Sequence, residues 1–481
     1  MPGYAENWLT RRAKLTQATV SAVLTPLGRG AVATIGVAGP NAAACVDQYF
    51  SAANGLSLER QPLHAIRYGR WQSTGLAQTS QERRDAQLPQ STPSAEDLVI
   101  CRFPTHVELH CHGGTAAVQA IMANLQAAGA MHITGREWID LHSPSCLEAA
   151  IQAALGESVS ETAVLAILAQ ESLWREELAS WITLLDQCGP LVAPLADMRE
   201  LSQRLKFLHN RLHELSQTAR WAKHWTTSWR VTLAGPPNAG KSMLLNSLLG
   251  YQRAIVSDMP GTTRDMVTGT IVWCDWRIEL RDTAGLRAAE DEIEQAGIAR
   301  TASALQQADC VVAVMDLSEP QELWPLTSLR RICQSVKSVV LAANKCDLIP
   351  DRSAQQRILA EVRDFAAQAA HPFNAPTVIL TSARDGQGCA ELLDCVCRQL
   401  CPVGSGFHGI GLFNPDLAED LAVWSGMLGQ VDHDLKKDEL VMPNSPALLA
   451  VEEQLRIVRG EISAWLMGGG NFPGTSEQMI T

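Results

Sequence analysis

The chain has 481 residues, of which 46% are hydrophobic and 19% charged, and its formal net charge is −12. This length exceeds a single hydrophobic core and indicates roughly two to four domains. The negative charge argues against a broad nucleic-acid-binding surface, and no apolar run approaches the ~18 residues of a membrane span, so we expect a cytoplasmic protein with no membrane segment.

Residues 17 to about 140 are predicted to form a small α/β domain. Two apolar runs, 18–24 and 31–37, are predicted to be strands that flank a turn containing Pro26 and Gly28. Residues 72–94 are rich in Gln, Ser and Thr, and we expect a loop there.

A His-Cys-His sequence at 110–112 follows two further predicted strands, at 98–103 and 107–109. Alternation along a strand sends His110 and His112 to one face and Cys111 to the other. No partner cluster of metal ligands is visible nearby in the sequence, so a tight turn from strand to helix explains these residues better than a metal site does.

Two heptad seams, at about residues 198–215 and 448–465, lie in segments that are predicted to be helical. In both, apolar residues recur at alternating steps of three and four. The first seam begins at about residue 198 and the second at about residue 448; their members are Met198, Leu201, Leu205, Leu208, Leu212 and Leu215, and then Leu448, Val451, Leu455, Val458, Ile462 and Trp465. Each one-sided stripe needs a partner, so the two seams are predicted to pack together in one helical bundle.

Between the seams, an apolar run at 231–234 leads into Gly235-x-x-x-x-Gly240-Lys241-Ser242 and then into a helix. The glycines let successive backbone N–H groups and the helix N-terminus face a phosphate. Lys241 supplies a positive charge for the β- and γ-phosphates, and the Ser242 hydroxyl is placed to ligate Mg²⁺. The pattern predicts a nucleotide site.

Three sequences downstream have the order that a GTPase needs. Asp282-Thr-Ala-Gly285 follows an alternating strand, where the Asp282 carboxylate can reach Mg²⁺ through water. Asn344-Lys345-Cys346-Asp347 follows a second strand, and Asp347 can accept hydrogen bonds from N1–H and the 2-amino group of guanine. Adenine offers neither donor, so the site is predicted to select GTP over ATP. Thr381-Ser382-Ala383 follows a third strand and supplies backbone to guanine O6.

Thirteen cysteines are scattered from Cys45 to Cys401, and their odd number does not fit a disulfide framework. A zinc hypothesis arises for a cluster near the end of the predicted GTPase region, made of Cys389, Cys395, Cys397 and Cys401. These positions lie in an amphipathic helix pattern and cannot all share one face, so a structural role explains them better.

Five motifs spread over the chain occur in an order that one known family shares. They are Thr25-Pro-x-Gly-Arg-Gly30, Glu108-Leu-x-x-His-Gly-Gly114, Gly235-x-Pro-Asn-Ala-Gly-Lys-Ser242, Gly261-Thr-Thr-Arg-Asp265 and Asp282-Thr-Ala-Gly-Leu-Arg287. Together they resemble the tRNA-modification GTPases of the MnmE/TrmE family. The resemblance implies a homodimer that modifies the wobble uridine of certain tRNAs together with a flavin-dependent partner protein.

The resemblance also implies the architecture, which is multidomain α/β and α. An N-terminal α/β domain at 1–140, folate-binding-like and dimerising, would precede a helical domain in two parts, at 141–228 and 403–481. A Ras-like P-loop GTPase domain with a doubly wound sheet would be inserted between those parts, at 229–402.

Hydrolysis needs a group that orients the attacking water, and Leu286 occupies the place where Ras-like enzymes carry that Gln. By resemblance, Glu294 matches the family's catalytic glutamate, and Asn238 matches the phosphate-loop Asn that coordinates K⁺. The alternative for Glu294 is a solvated helix residue among other acids. The K⁺ would stabilise charge between the β- and γ-phosphates, as an arginine finger does elsewhere.

The motifs and the resemblance together predict the full site. Catalysis is assigned to Glu294, Asn238 and Lys241. Mg²⁺ is assigned to Ser242 and Thr263, and K⁺ to Asn238, Ser257, Met259 and Thr262. The predicted GTP-binding residues are Asn238, Ala239, Gly240, Lys241, Ser242, Met243, Ser257, Thr262, Thr263, Asp282, Thr283, Ala284, Gly285, Asn344, Lys345, Asp347, Ser382 and Ala383.

The chain departs from the family pattern in its N-terminal domain and at its C-terminus. Gly36 stands where the family has a folate-binding Arg, and the stretch that supplies a folate-binding Lys has no counterpart after Trp138. Of the folate-site residues only Glu108 remains, so we do not expect folate to be a cofactor. The family's terminal Cys-Ile-Gly-Lys is replaced by Asn471-Phe-Pro-Gly-Thr-Ser-Glu-Gln-Met-Ile-Thr481.

Two hypotheses follow from these matches and departures. In the first, the protein is a tRNA-modification GTPase with a remodelled folate site. In the second, it is a GTP-driven conformational switch or assembly protein that has lost the modification chemistry and acts through another partner.

Overall fold

The computed structural model describes residues 4–26, 30–72, 95–158, 160–187, 195–250, 268–282, 305, 307–318, 326–336, 338–349, 351–369, 375–401, 409–435 and 446–466. The chain divides into two compact units. Unit 1 comprises 1–153, 175–205 and 426–481, and unit 2 comprises 154–174 and 206–425. Within the described ranges, no helix is long and apolar enough to cross a membrane.

Unit 1 is built on a seven-stranded sheet with the order β3-β4-β5-β6-β2-β1-β7. Neighbouring strands are antiparallel except β1 and β7, which are parallel. The strands are β1 Val20–Val23, β2 Val32–Ala38, β3 Phe50–Ala52, β4 Ile66–Gln72, β5 Ala95–Arg102, β6 His106–His112 and β7 Met131–His132. The four strands predicted between residues 18 and 109 are therefore confirmed as β1, β2, β5 and β6. Of the loop predicted at 72–94, Gln72 instead ends β4, and residues 73–94 lie outside the described residues.

Up to residue 222, the described residues form the α-helices α1 Tyr4–Gln17, α2 Ala42–Asp47, α3 Thr115–Ala127, α4 Gly135–His142, α5 Cys146–Glu157, α6 Glu161–Asp186 and α7 Leu195–Ala222. Helix α3 covers one face of the unit 1 sheet because Val118, Ile121 and Leu125 recur at helical spacing and are buried. Helix α4 begins in a capping box, in which Thr134 and Glu137 satisfy each other's backbone N–H groups. This cap fixes the start of the helix that carries Trp138.

Unit 2 contains a six-stranded sheet with the order β13-β12-β11-β8-β10-β9. All neighbours are parallel except β9, which is antiparallel to β10. The strands are β8 Trp229–Ala234, β9 Thr268–Trp273, β10 Trp276–Asp282, β11 Cys310–Asp316, β12 Val339–Asn344 and β13 Thr377–Leu380, and the helices are α8 Lys241–Gly250, α9 Leu326–Ser335, α10 Arg352–Ala369 and α11 Cys389–Leu400.

Both faces of this sheet are covered, as the predicted doubly wound arrangement requires. Along β11, Val312 and Val314 pack into the core that contains α8 and α11, whereas Val311 and Ala313 pack into the core that contains α10. Continuous burial along a parallel strand explains why 310–316 is apolar at nearly every position. The same arrangement accounts for three of the clustered cysteines, since Cys389, Cys395 and Cys397 are buried in the core beneath α11.

The two predicted seams are buried, except that the side chains of Met198 and Leu448 are not described. After residue 409, the described residues form the helices α12 Pro415–Asp434 and α13 Pro446–Leu466. Helix α7 meets α12 through Ser202 Oγ, which donates to Asp432 Oδ1 at 2.7 Å. Helix α13 meets α1 through the rings of Tyr4 and Trp465, whose centroids are 5.8 Å apart. That the two seams pack against each other stays a prediction.

Candidate nucleotide-binding site

A cavity of about 770 Å³ opens in unit 2 at the carboxyl ends of the parallel strands. This edge of a doubly wound sheet is where ligands bind in such folds, because the loops that leave the strands converge there. The loops after β8, β12 and β13 all contribute to it. The lining residues include Asn238, Gly240, Lys241, Ser242, Met243, Asn344, Lys345, Asp347, Ala383 and Arg384.

The loop after β8 can take its shape only with glycine at two positions. A Cβ on Gly235 would lie 2.3 Å from the Val314 carbonyl oxygen, which is backbone and cannot move aside. Gly240 has φ +89°, and a Cβ there would lie 2.4 Å from Asn344 Nδ2. Asn238 has φ +63°, a left-handed conformation that Asn tolerates better than most residues. The loop is thus wound tightly around the space that a phosphate would fill.

Lys241, at the start of α8, is mostly buried, and its Nζ donates to the Pro236 carbonyl oxygen at 2.8 Å. The side chain therefore folds back across the loop. A buried ammonium at a helix N-terminus sets a strongly positive field, which favours an anion.

Ser242 and Asp282 form the part of the site that suits Mg²⁺. Ser242 Oγ donates to Asp282 Oδ2 at 2.5 Å, and Asp282 is 1% exposed. Asp282 ends β10 beside the end of β8, because Asp282 pairs in register with Leu233. A hydroxyl and a carboxylate oxygen are ligands that Mg²⁺ prefers, so these residues fit the ion that the fold implies.

Asn344 joins three segments of the site. Its Nδ2 donates to the Ala239 carbonyl oxygen at 2.9 Å, and its Oδ1 accepts from the Ala383 N–H at 3.0 Å and from Thr381 Oγ1 at 3.3 Å. The residue is 1% exposed. One side chain therefore sets the spacing between the phosphate loop and the loop after β13.

Two other residues of the Asn344–Asp347 motif, Lys345 and Asp347, line the cavity. Lys345 has φ +64°, and its Nζ lies 2.5 Å from Asp316 Oδ2. Burial alone would raise the pKa of Asp316, but hydrogen bonds from Lys345 and Ser318 hold that pKa below its ordinary value. Asp347 is half-buried in the short 3-10 helix Cys346–Leu348 and lines the cavity.

Most of the predicted GTP-binding residues of the described ranges therefore surround one cavity. Ala239 contributes its carbonyl oxygen and Asp282 acts beside Ser242, while Ser382 lies next to Ala383 in the loop after β13. The roles of all these residues stay predictions. The remaining predicted residues lie outside the described ones: Ser257, Met259, Thr262, Thr263, Thr283, Ala284, Gly285 and Glu294.

Sequence reasoning missed Asp316 and Arg384. Asp316 pairs in register with Asn344 and ends the buried strand β11. An acidic residue directly after six apolar residues was a signal that could have been followed. Arg384 directly follows the predicted Ser382-Ala383 pair and lines the cavity.

In unit 1, Glu108, the residue that remains from the predicted folate site, lies beside two histidines. Both carboxylate oxygens are near histidines of the same strand, with His106 Nε2 at 3.4 Å and His110 Nε2 at 3.5 Å. Gly36, the register partner of Glu108, lies against Trp138, and a Cβ on Gly36 would come within 2.4 Å of that indole. A side chain at residue 36 would therefore require Trp138 to move.

Comparison with known proteins gives matches to two family models. Residues 19–135 match the model described as GTP-binding protein TrmE N-terminus, and residues 230–345 match the model described as 50S ribosome-binding GTPase.

Curated relatives named tRNA modification GTPase MnmE include two that illustrate the range of coverage. The protein from Synechococcus sp. (strain RCC307) is 30% identical over 441 residues, which cover 86% of this chain and 87% of the relative. The protein from Chlorobium chlorochromatii (strain CaD3) is 34% identical over 312 residues, which cover 60% of this chain and 62% of that relative, less than two thirds of its length.

Among solved structures, Era in complex with MgGDPNP and a segment of 16S ribosomal RNA is 25% identical. The match covers 42% of this chain and 66% of that chain, with a TM-score of 0.30.

Proposed function

Since the chain belongs to the MnmE/TrmE family, we propose that it is a GTP-hydrolysing enzyme that takes part in modifying the wobble uridine of tRNA. The observation that carries this proposal is the 30% identity to a tRNA modification GTPase over 86% of the chain. A GTP-hydrolysing enzyme is what both the family and the GTPase model at 230–345 indicate. In the cell it would act in the cytoplasm with a flavin-dependent partner protein.

Nucleotide binding would use the loop after β8 for the phosphates and the loops after β12 and β13 for the base. Bound at Ser242 and Thr263, Mg²⁺ would neutralise charge on the β- and γ-phosphates. Lys241 would turn from the Pro236 carbonyl to the phosphates, because a phosphate oxygen is a stronger acceptor for an ammonium than a neutral carbonyl is. Asp347 would accept two hydrogen bonds from guanine.

Hydrolysis would depend on Glu294, because Leu286 has no polar group with which to orient water. Glu294 would hold the attacking water in line with the γ-phosphate. K⁺ at Asn238, Ser257, Met259 and Thr262 would add positive charge between the β- and γ-phosphates. The exposed Asn238 of the described loop, with its left-handed backbone, supports this assignment. We further propose that the protein is a homodimer whose two GTPase domains approach each other during turnover.

The proposed insertion of the GTPase domain at 229–402 is supported by contacts, within unit 2, between the segments that precede and follow it. Gly411, which follows the domain, lies so close to Trp225, which precedes it, that a Cβ on Gly411 would be 2.5 Å from the indole. The segment that follows the domain is also bonded to Gln170 of α6, whose Nε2 donates to the Gly409 carbonyl oxygen and whose Oε1 accepts from the Gly411 N–H. An inserted domain needs its two chain ends close together in this way.

The second candidate function is a GTP-driven conformational switch or assembly protein without the modification chemistry. The packing of Trp138 on Gly36 favours it, because the indole takes the space from which a folate-binding side chain would extend. A family member without folate would retain GTP hydrolysis and lose the one-carbon step.

Deleting the gene and analysing tRNA wobble uridines by mass spectrometry separates the two functions. Modification that disappears on deletion, and returns with the wild-type gene but not with Asp282→Asn, would support the tRNA function and its dependence on the nucleotide site. Wobble uridines that are fully modified in the deletion strain would refute it and leave the switch as the proposed function.

A further inference from the structure

Asp316, which contacts the cavity-lining residue Lys345, is held in a fixed orientation by its own backbone turn. Its Oδ1 accepts hydrogen bonds from Ser318 Oγ at 2.6 Å and from the Ser318 N–H at 2.8 Å. The backbone after Asp316 is tied to β12, because the Leu317 N–H donates to the Asn344 carbonyl oxygen at 3.0 Å. Asp316 Oδ2 is thus aimed at the Asn344–Asp347 loop.

The ammonium that meets this oxygen belongs to Lys345, which sits between Asn344 and Asp347. The distance of 2.5 Å and the small exposure of both side chains, 31% for Lys345 and 16% for Asp316, indicate a charge-assisted bond sheltered from solvent. Lys345 carries φ +64°, an unfavourable conformation for a residue with a long side chain. A contact at the far end of the side chain helps to hold that backbone in place.

We propose that Asp316 is a positioning residue for guanine recognition, which fixes the Lys345 side chain along the wall of the cavity and thereby holds Asp347 towards the base. The proposal deepens and rests on the proposed recognition of guanine by Asp347. Asp316 acts through Lys345 and does not itself line the cavity. Because the bond holds the base site in shape, its loss should speed nucleotide release more than it slows nucleotide capture.

The chain contains a matched control in Asp351. Its carboxylate accepts from the Ser353 N–H and Oγ, as Asp316 accepts from Ser318, and it likewise precedes the serine by two residues. Asp351 forms no ion pair with a lysine among the described residues, and it is not part of the cavity lining. A change at Asp351 therefore disturbs the same kind of turn without touching the nucleotide site.

The test measures dissociation of a fluorescent GDP from the full chain by stopped flow. Asp316→Asn keeps an oxygen for Ser318 and removes the charge, and Lys345→Met keeps the side-chain stem and removes the ammonium. Asp316→Asn should raise the dissociation rate about tenfold, with association little changed, as expected for the loss of one charge-assisted bond. Lys345→Met should raise it at least as much, because Lys345 also lines the cavity and is a predicted nucleotide contact. The double variant should dissociate no faster than Lys345→Met, because Asp316 acts only through Lys345.

If the increases in GDP dissociation rate multiply in the double variant, to about a hundredfold or more, the proposal is overturned, because Asp316 then acts independently of Lys345. An equal increase in GDP dissociation rate in Asp351→Asn would also overturn the proposal, because it would show that disturbing any Asp-Ser turn is enough to speed nucleotide release. Lys345→Met retains the Asp316 turn, so it remains informative if Asp316→Asn does not fold.

The proposed guanine recognition by Asp347 is tested separately, by measuring the preference of Asp347→Asn for GDP over XDP. If that variant keeps its preference for GDP over XDP, guanine recognition by Asp347 is wrong, whatever the outcome at Asp316. If Asp347→Asn shifts preference to XDP while Asp316→Asn leaves GDP dissociation unchanged, only the positioning role is refuted.

Discussion

Asn344 Nδ2 lies 2.9 Å from the Ala239 carbonyl oxygen, so the residue that opens the base-recognition motif is bonded to the phosphate loop. The contact requires Gly240 next door, because a Cβ there would lie 2.4 Å from the same nitrogen. The two halves of the nucleotide site are therefore coupled through a buried amide. A substitution in either half should therefore alter how the other half binds the nucleotide.

The first prediction is that Asn344→Ala weakens binding of the whole nucleotide. The change leaves the Ala383 N–H and the Ala239 carbonyl without their bonds to Asn344, and each unsatisfied buried group costs about 1–3 kcal/mol. GDP affinity measured by titration should fall at least ~10-fold. Asn414→Ala is the control: Asn414 is also buried and caps α12 by accepting from the Leu417 N–H, so it should lower stability and leave GDP affinity unchanged. Equal affinity in wild type and Asn344→Ala would contradict the coupling.

The GTPase region was the most predictable part of the molecule. Its signals are local: an apolar strand, a glycine whose Cβ would meet backbone, and a polar residue at the strand end, as at 231–242. Because parallel strands bring their carboxyl ends to one edge, the order of the motifs in the sequence predicts their meeting in space. Asp316 was missed because its partner Lys345 lies 29 residues away and no local pattern joins them.

The N-terminal domain was less predictable. The strands around Gly36 and Glu108 follow from alternation, but the sequence does not reveal that Trp138 lies on Gly36, since about a hundred residues separate them. The ring of His106 is stacked on Phe103, with centroids 4.6 Å apart, and meets that of His142 edge-on at 5.1 Å. Such long-range aromatic packing depends on how α4 docks on the sheet, and single-sequence patterns do not specify docking.

The second prediction is selectivity for guanine. GTP should bind at least ~100-fold more tightly than ATP, because adenine would leave the Asp347 carboxylate without its two donors. Asp347→Asn should transfer the preference towards xanthosine nucleotides, whose C2 carbonyl accepts a hydrogen bond from the new amide. Competition titrations with GDP, XDP and ADP measure both effects. Comparable affinities of the wild type for ATP and GTP would refute the assignment.

The third prediction concerns the chemistry of turnover. Replacing K⁺ by Na⁺ should lower kcat, and Glu294→Ala should abolish hydrolysis while GTP binding stays nearly intact, since the residue is expected to act on water. Initial rates of phosphate release in each salt, together with nucleotide titrations of the variant, are the measurements. Hydrolysis that is indifferent to the cation, or normal turnover by Glu294→Ala, would show that another group does this work.

The fourth prediction is that 5-formyl-tetrahydrofolate does not bind measurably at micromolar concentrations. Folate carries carboxylates and a polar pterin, and each cationic side chain missing from its pocket should cost ~1.5–3 kcal/mol, or together roughly 10²–10⁴ in affinity. Arg102 is a cationic side chain of the same domain, but it is bonded within the protein, because its Nη1 donates to the carbonyl oxygens of Glu59 and Gln61. Isothermal titration of the full chain is the measurement. Micromolar binding would mean that other residues have taken over the site and would favour full modification chemistry.

A buried histidine at the base of the GTPase sheet provides a test of stability against pH. The ring of His224 stacks on Trp229 with centroids 3.5 Å apart, and its Nε2 has no hydrogen-bond partner in the described part of the chain. Asp309 Oδ1 lies 3.8 Å from that nitrogen. Burial, followed by the positive charge of Lys223, lowers the pKa of His224 to about 3. The ring is therefore neutral in the folded protein at any ordinary pH.

The fifth prediction is that His224 makes the protein less stable as pH falls below about 6.5, the ordinary histidine pKa. Between that value and the folded pKa of about 3, the unfolded chain binds a proton that the folded chain does not, so the free energy of unfolding decreases with falling pH. By pH 5 this one group should remove about 2 kcal/mol. Urea unfolding at pH 7 and pH 5 measures the decrease, which should be about 2 kcal/mol smaller in His224→Gln than in wild type. The exposed His132 provides the control: in His132→Gln the free energy of unfolding should fall between pH 7 and pH 5 by as much as it does in wild type. If it falls by the wild-type amount in His224→Gln as well, then His224 titrates in the folded protein as it does in the unfolded chain, and the prediction is wrong.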